Sequence, residues 1–291
     1  MAISGIETLC PHRYAASPGT GVLTIHTRLL LTSATDGPEE AVQLTLVVVD
    51  MFDTERSRGA LAMEAAAWLE GQVMIHRVGQ EVSLHAIAKQ CRSDGGEYLL
   101  VVVWVPLERL PLLNFGDYVP GVGLPGLPTG CIVVTDKPGA VPHSSVDILV
   151  GTRLDPIADA VRVTRMASSL HASKTLTCAD IFDFSHALSK GSHAVCVDAF
   201  WCESTPDGLL FGSPADAALV TGAAGAVMTL HVPQSRKSQA HKHALRALQS
   251  CVRSDADLIC HVATGQRVDQ LDAPVRPLDL LIAATCQAGT K

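Results

Sequence analysis

The order strand, helix, strand between Ala41 and Val78 limits the fold more than any other stretch. Leu44-Thr-Leu-Val-Val-Val49 is apolar and rich in β-branched residues, which predicts a buried strand. A loop, Asp50-Met-Phe-Asp53-Thr54-Glu55, leads into a predicted helix over 58–69 with Leu61, Ala62, Ala65, Trp68 and Leu69 on one side. Gly71 stops it, and Val73–Val78 is the next strand. A strand, helix and strand within about 35 residues predict a crossover and hence a parallel sheet. The unit recurs less regularly as a short helix over 82–91, the strand Tyr98–Trp104, a Pro/Gly-rich loop over 106–130, and strands at 131–135 and 146–150. Residues 41–150 therefore read as an α/β layer with about five strands. Residues 1–40 read as an N-terminal extension, with Gly21–Leu31 a candidate strand and Asp36-Gly37-Pro38 a turn.

The second half differs in style. His193–Trp201 alternates apolar and polar, as a strand with one covered face does. Further strands at 223–231, 258–262 and 278–283 and a helix over 238–252 predict a smaller α+β layer of about 100 residues. Between the halves, Ile157, Val161, Thr164, Met166 and Leu170 are spaced as a helix covered on more than one side. A loop then enters a second helix over 182–188. Asp180 stands at the N-cap position of that helix and Asp183 one turn on. Carboxylates three residues apart share a face and favour the positive end of the helix dipole. Two readings stand: plain capping, or a catalytic pair.

Composition narrows the function classes. Hydrophobic residues make up 47% of the 291 and charged residues 18%, enough to bury a core and too apolar for a disordered chain. A net charge of −7 argues against a nucleic-acid partner. The nine scattered cysteines include no Cys-x-x-Cys pair, which predicts reduced thiols and neither a disulfide framework nor a structural metal. No secretory signal is visible, and the longest apolar runs are far shorter than a membrane span. The expectation is a cytoplasmic protein without membrane insertion.

Local motifs add little chemistry. Gly121-Val-Gly-Leu-Pro-Gly126 matches a dinucleotide pattern on paper, but Pro120, Pro125 and Pro128 break the helix start that would hold a pyrophosphate. It reads as an irregular surface loop. His241 and His243 are two apart, so a helix turns them to different sides, which makes them poor joint metal ligands and predicts exposed polar positions. Cys178 has no neighbouring base. Arg236, Lys237, Lys242, His243, Arg246 and Arg253 form one local basic stretch in an acidic chain, and Lys242, Arg246 and Arg253 are the candidate interface residues for an acidic protein partner.

Taken in order, these pieces resemble the FtsZ/tubulin superfamily over about residues 41–287. Residues 44–78 look like its first strand, loop, helix and second strand, and Ile132-Val-Val-Thr-Asp-Lys-Pro138 is similar to its Val-Val-Thr-Lys-Pro segment. Cys178-Ala-Asp180-Ile-Phe-Asp183-Phe184 lines up with the loop after its central helix, Asn-Val-Asp-Phe-Ala-Asp-Val. The departures concern the nucleotide. Where the family has a first loop of glycines, Met51-Phe-Asp-Thr-Glu-Arg-Ser-Arg58 stands here, with Asp53 and Glu55 set to repel a triphosphate. The second phosphate loop is replaced by Val105-Pro-Leu-Glu108-Arg-Leu-Pro111, and the guanine-reading Asn-Asp pair by Gly151-Thr-Arg-Leu-Asp155.

The resemblance implies a degenerate GTPase-like α/β domain over 41–155, a central helix and loop over 156–190, and an α+β domain over 191–291. It implies a pseudo-GTPase without cofactor that acts through protein contacts, either self-assembly or regulation or capping of a nucleotide-binding relative or larger assembly. Asp180 and Asp183 would act catalytically only on a partner. The alternative is a soluble metabolic enzyme with an inter-domain pocket and Asp180 and Asp183 as acid and base.

Overall fold

The computed structural model describes residues 21–31, 40–67, 72–77, 82–93, 95, 97–137, 146–153, 155–172, 181–202, 208–232, 237–263 and 275–284. In chain order the elements are β1 (Gly21–Leu31), β2 (Glu40–Asp50), α1 (Glu55–Ala67), β3 (Gln72–Arg77), β4 (Val82–Ser83), α2 (Leu84–Ser93), β5 (Tyr98–Val105), a 3-10 helix (Leu107–Leu112) and β6 (Leu113–Asn114). There follow β7 (Thr129–Thr135), β8 (Ile148–Gly151), α3 (Pro156–Ala172), α4 (Ile181–Leu188), β9 (His193–Cys202), β10 (Leu209–Phe211), α5 (Pro214–Gly222), β11 (Gly225–His231), α6 (Lys237–Cys251), β12 (Asp257–Ala263) and β13 (Val275–Ala284).

The chain is a mixed α/β protein built on one sheet of order β12-β11-β13-β9-β8-β7-β5-β2-β1-β3, with β10 on β9. β2, β5, β7 and β8 run parallel, as the apolar runs predict. Beyond β8 the style changes: β9 pairs antiparallel with β13, and β13 antiparallel with β11. A single residue pair, Val150 with Ala194, joins β8 to β9.

β2 and β3 run in the same direction, as the crossover predicts, with one strand inserted between them. β2 and β3 are not neighbours; β1 lies between them and is antiparallel to both, with Gly21 opposite Asp50 on one side and Arg77 on the other. The strand next to β2 in sequence forms a ladder of 11 residues on it, so local antiparallel pairing takes the sheet position between the two crossover strands. Asp36–Pro38 and Gly71 lie outside the described residues.

Strand alternation divides the core by face. Leu100, Val102 and Trp104 of β5 join Ile132, Val134 and Val150 beneath α3 and α4, whereas Leu99, Val101 and Val103 face α2 and the loop through Tyr118, Leu124 and Leu127. In the second half Val195, Val197 and Trp201 pack with Val220 of α5 and Ala244 and Leu248 of α6. Helices thus cover both faces, which is why β5 is buried from Leu99 to Val105.

α3 ties the halves together. Trp104 Nε1 donates to Thr164 Oγ1 at 2.9 Å inside the first half. Arg162 pairs with Asp198 of β9, and Arg165 Nε donates to Asp279 of β13 at 2.7 Å. α4 closes the amino-terminal edge, where Ser185 Oγ donates to the Asp147 carbonyl at 2.8 Å and β11 begins against Ala187. A Cβ on Gly225 would stand 1.8 Å from the Ala187 carbonyl oxygen, while one on Gly222 meets nothing within 4 Å. Gly225→Ala is expected to cost about 1–3 kcal/mol by overpacking, and Gly222→Ala less than about 0.5 kcal/mol; urea unfolding of the two variants checks the contrast.

Candidate functional site

Open sheets with parallel strands present ligand sites at the carboxyl ends of those strands, because helix N-termini and loop amides converge there. Here those ends are Asp50 of β2, Val105 of β5, Thr135 of β7 and Gly151 of β8, with the N-termini of α1 and α3 above them.

The polar groups of the α1 loop and of the α3 start are engaged by the chain itself, whereas the buried Thr152 hydroxyl after β8 has no hydrogen-bond partner among the described residues. Asp50 is fully buried, and its carboxylate accepts from the Phe52 amide at 3.0 Å, the Asp53 amide at 3.3 Å and Ser57 Oγ at 2.6 Å. Thr54 and Ser57 cap α1 reciprocally: Ser57 N donates to Thr54 Oγ1 at 3.0 Å and Thr54 N to Ser57 Oγ at 3.1 Å. Asp53 turns the loop with φ 52°, a conformation that Asp tolerates better than most residues. From the next loop Arg109 donates to the Met51 carbonyl at 3.0 Å, and the Leu107 amide donates to Asp136 at 2.8 Å. Asp155 accepts from the first amides of α3, Ile157 at 3.2 Å and Ala158 at 3.3 Å, and pairs with Arg56 of α1 across the edge. Glu55 and Glu108 are exposed beside these loops.

The electrostatics follow from burial. Desolvation pushes the Asp50 carboxyl above its ordinary 3.8, although the Ser57 hydroxyl and two amides oppose the shift. Burial also pushes Asp155 upward, but the Arg56 guanidinium and the α3 amides outweigh it and hold the group below its ordinary value. A phosphate fits this edge poorly: the Phe52 and Asp53 amides already serve a carboxylate, and the loop after β5 is a 3-10 helix containing Pro111 and no glycine.

The predicted residues lie elsewhere. Asp183 is exposed in the first turn of α4, at the edge opposite Asp50; Asp180 lies outside the described residues. Lys242 and Arg246 are exposed on α6. Arg253 follows the end of that helix and pairs with Asp255, Nε to Oδ1 at 2.9 Å. His243 corrects the expectation of an outward position, since its half-buried ring stands edge-on to Trp201 at 5.0 Å. The Gly121–Gly126 loop enters no helix; it leads into the amino end of β7, where Asp147 accepts from Gly121 N at 2.7 Å and Cys131 N at 2.6 Å.

The same amino-terminal edge holds a shallow depression of about 150 Å³ lined by residues 146–149, 188, 189 and 191–194. Ser192 Oγ lies 3.0 Å from His193 Nδ1, and burial lowers the pKa of that imidazole. The Gly191 and Ser192 amides are committed to the Leu188 and Ala284 carbonyls, so neither is free to stabilise an oxyanion, and Asp183 does not line the depression. Among the described residues no helix is long and apolar enough to cross a membrane. Sequence reasoning passed over Asp50 as an ordinary loop residue; the usable signal was an Asp closing a β-branched run four residues before a Thr-x-x-Ser cap.

No family model matches the sequence, and no curated protein matches it. Similar solved structures include a mutant FtsZ of M. jannaschii, 11% identical over 69% of each chain with TM-score 0.41. CetZ from Methanosaeta thermophila is 12% identical over 69% of this chain and 64% of its own, with TM-score 0.35. CetZ2 from Haloferax volcanii, a GTPγS-bound protofilament, is 11% identical over 72% of this chain and 75% of its own, with TM-score 0.35. Likeness at these levels carries no inference about activity.

The Asp50 geometry predicts a pH dependence. With its folded pKa above 3.8, the native state takes up the proton first as pH falls. The group's contribution to stability therefore rises as pH drops through the folded pKa, is complete below 3.8, and is lost again as pH rises. Asp159 is raised by burial too, so the difference between wild type and Asp50→Asn isolates Asp50. Denaturant unfolding from neutral to acid pH should show wild type gaining on the variant as pH falls.

Proposed function

We propose that this chain is a tubulin/FtsZ-like cytoplasmic protein that acts through protein–protein contacts and neither binds nor hydrolyses GTP. In this reading residues 41–155 are a degenerate GTPase-like domain, 156–190 a central helix and loop, and 191–291 a second domain. The observation that carries the proposal is the closed carboxyl edge: Asp50, Arg56, Arg109 and Asp155 occupy one another or the backbone where a nucleotide site would need open donors. A binding face then has to lie elsewhere. On α6, Lys242 and Arg246 stand one turn apart and exposed, and like charges at that spacing repel. An acidic patch on another copy or on a nucleotide-binding relative relieves that repulsion. Asp183 supplies a second contact at the opposite edge, so one copy's α4 can meet another molecule's carboxyl edge without meeting its own.

Light scattering and sedimentation of the purified chain, alone and with a tubulin-like partner, test the proposal. Association is expected to be indifferent to GTP added to this chain. Lys242→Glu combined with Arg246→Glu should weaken it about tenfold at low salt, and the difference should shrink as ionic strength screens the pair. Asp183→Ala should alter association, or a partner's GTP turnover, at unchanged melting temperature. Association untouched by either change would return both faces to plain solvent exposure.

A further inference from the structure

We propose that the Asp50 carboxylate is a built-in occupant of the loop at the start of α1 and is the group that keeps phosphate-bearing ligands out of it. This rests on the reading of the carboxyl edge as a closed nucleotide site and names the residue that closes it. Three donors that a phosphate oxygen would use, the Phe52 and Asp53 amides and Ser57 Oγ, all converge on this one side chain. Their direction is set by the backbone, because the Met51 amide is fixed on the Trp104 carbonyl at 2.7 Å and Arg109 holds the Met51 carbonyl. Asp50 itself cannot swing away: it is the last residue of β2, in register with Trp104 of β5, and fully buried. An incoming anion would therefore have to share donors with a fixed negative charge, in a setting where burial weakens screening. Placing a carboxylate there costs desolvation, visible as the upward push on its pKa, and the three hydrogen bonds offset part of that cost. The positive end of α1 is served from inside the chain, and Glu55 in its first turn adds to the exclusion.

The consequence is that one substitution should open the site. Asp50→Ala removes the charge and leaves the amides and the hydroxyl in place; Asp50→Asn removes the charge while keeping the shape. Inorganic pyrophosphate is the probe, followed by the amide NMR shifts of residues 52–57. Wild type is expected to show no saturable shift, and Asp50→Ala to bind at least about tenfold more tightly, with Ser57→Ala in that background reversing part of the gain. If Asp50→Ala does not fold, as read by circular dichroism and a cooperative melt, the presence or absence of the same shifts in Asp50→Asn decides the question. Folded variants that bind pyrophosphate no better than wild type, or shifts confined to residues outside 52–57, overturn the proposal. A silent wild type with silent variants overturns only the role of Asp50, whereas tight GTP binding by wild type overturns the reading of the whole edge.

Discussion

The structure depends on α3. The sheet passes from the half that holds β2, β5, β7 and β8 to the half that holds β9, β13 and β11 through one residue pair, Val150 with Ala194, which on its own is too little to hold two halves in register. α3 supplies the rest, burying Ala160, Val163, Met166 and Ala167 against strands of the first half while Arg162 and Arg165 reach Asp198 and Asp279 of the second. Asp279 is almost fully buried, so loss of Arg165 would take away its guanidinium partner inside the protein, a larger penalty than the net worth of the pair. The Trp104–Thr164 bond fixes the rotation of the helix about its axis. With α3 placed, the two edges of the sheet acquire different characters.

At the carboxyl edge the chain meets its own needs. Helix N-termini and loop amides there ordinarily attract anions. Asp50 answers the N-terminus of α1, and Asp155 that of α3, and Arg56 links the second of these carboxylates back to α1. The buried Asp50 side chain takes up three donors, and none of those donors is left for a substrate. At the amino edge, α4 and the Asp147 loop pack tightly and leave Asp183 in solvent.

Much of the fold was legible because its signals are local. The Val-rich runs of β2, β5 and β7 and the periodicity of α3, α4 and α6 declare buried strands and amphipathic helices within a few residues. What escaped were long-range choices. Nothing in Gly21–Leu31 says that it inserts between β2 and β3, because the crossover rule ranks connections and not competitors for a sheet edge. The short β10 and the helix α5, capped by Ser213, sit in a stretch too brief for periodicity to speak. At the site, the absence of glycine from residues 51–58 and 105–111 was readable in the sequence, but the direction of the Asp50 carboxylate is a matter of loop geometry that no spacing rule encodes. His243 was misplaced for a related reason: its partner Trp201 is distant in sequence.

The proposal that most needs testing is that the chain's own side chains occupy the donors at the carboxyl edge and that the protein therefore binds no nucleotide. Isothermal titration of GTP and GDP into the purified wild-type protein, with magnesium present, tests it most directly. The account predicts no saturable heat for either nucleotide up to about millimolar concentration. Micromolar or tighter binding of either one would contradict it.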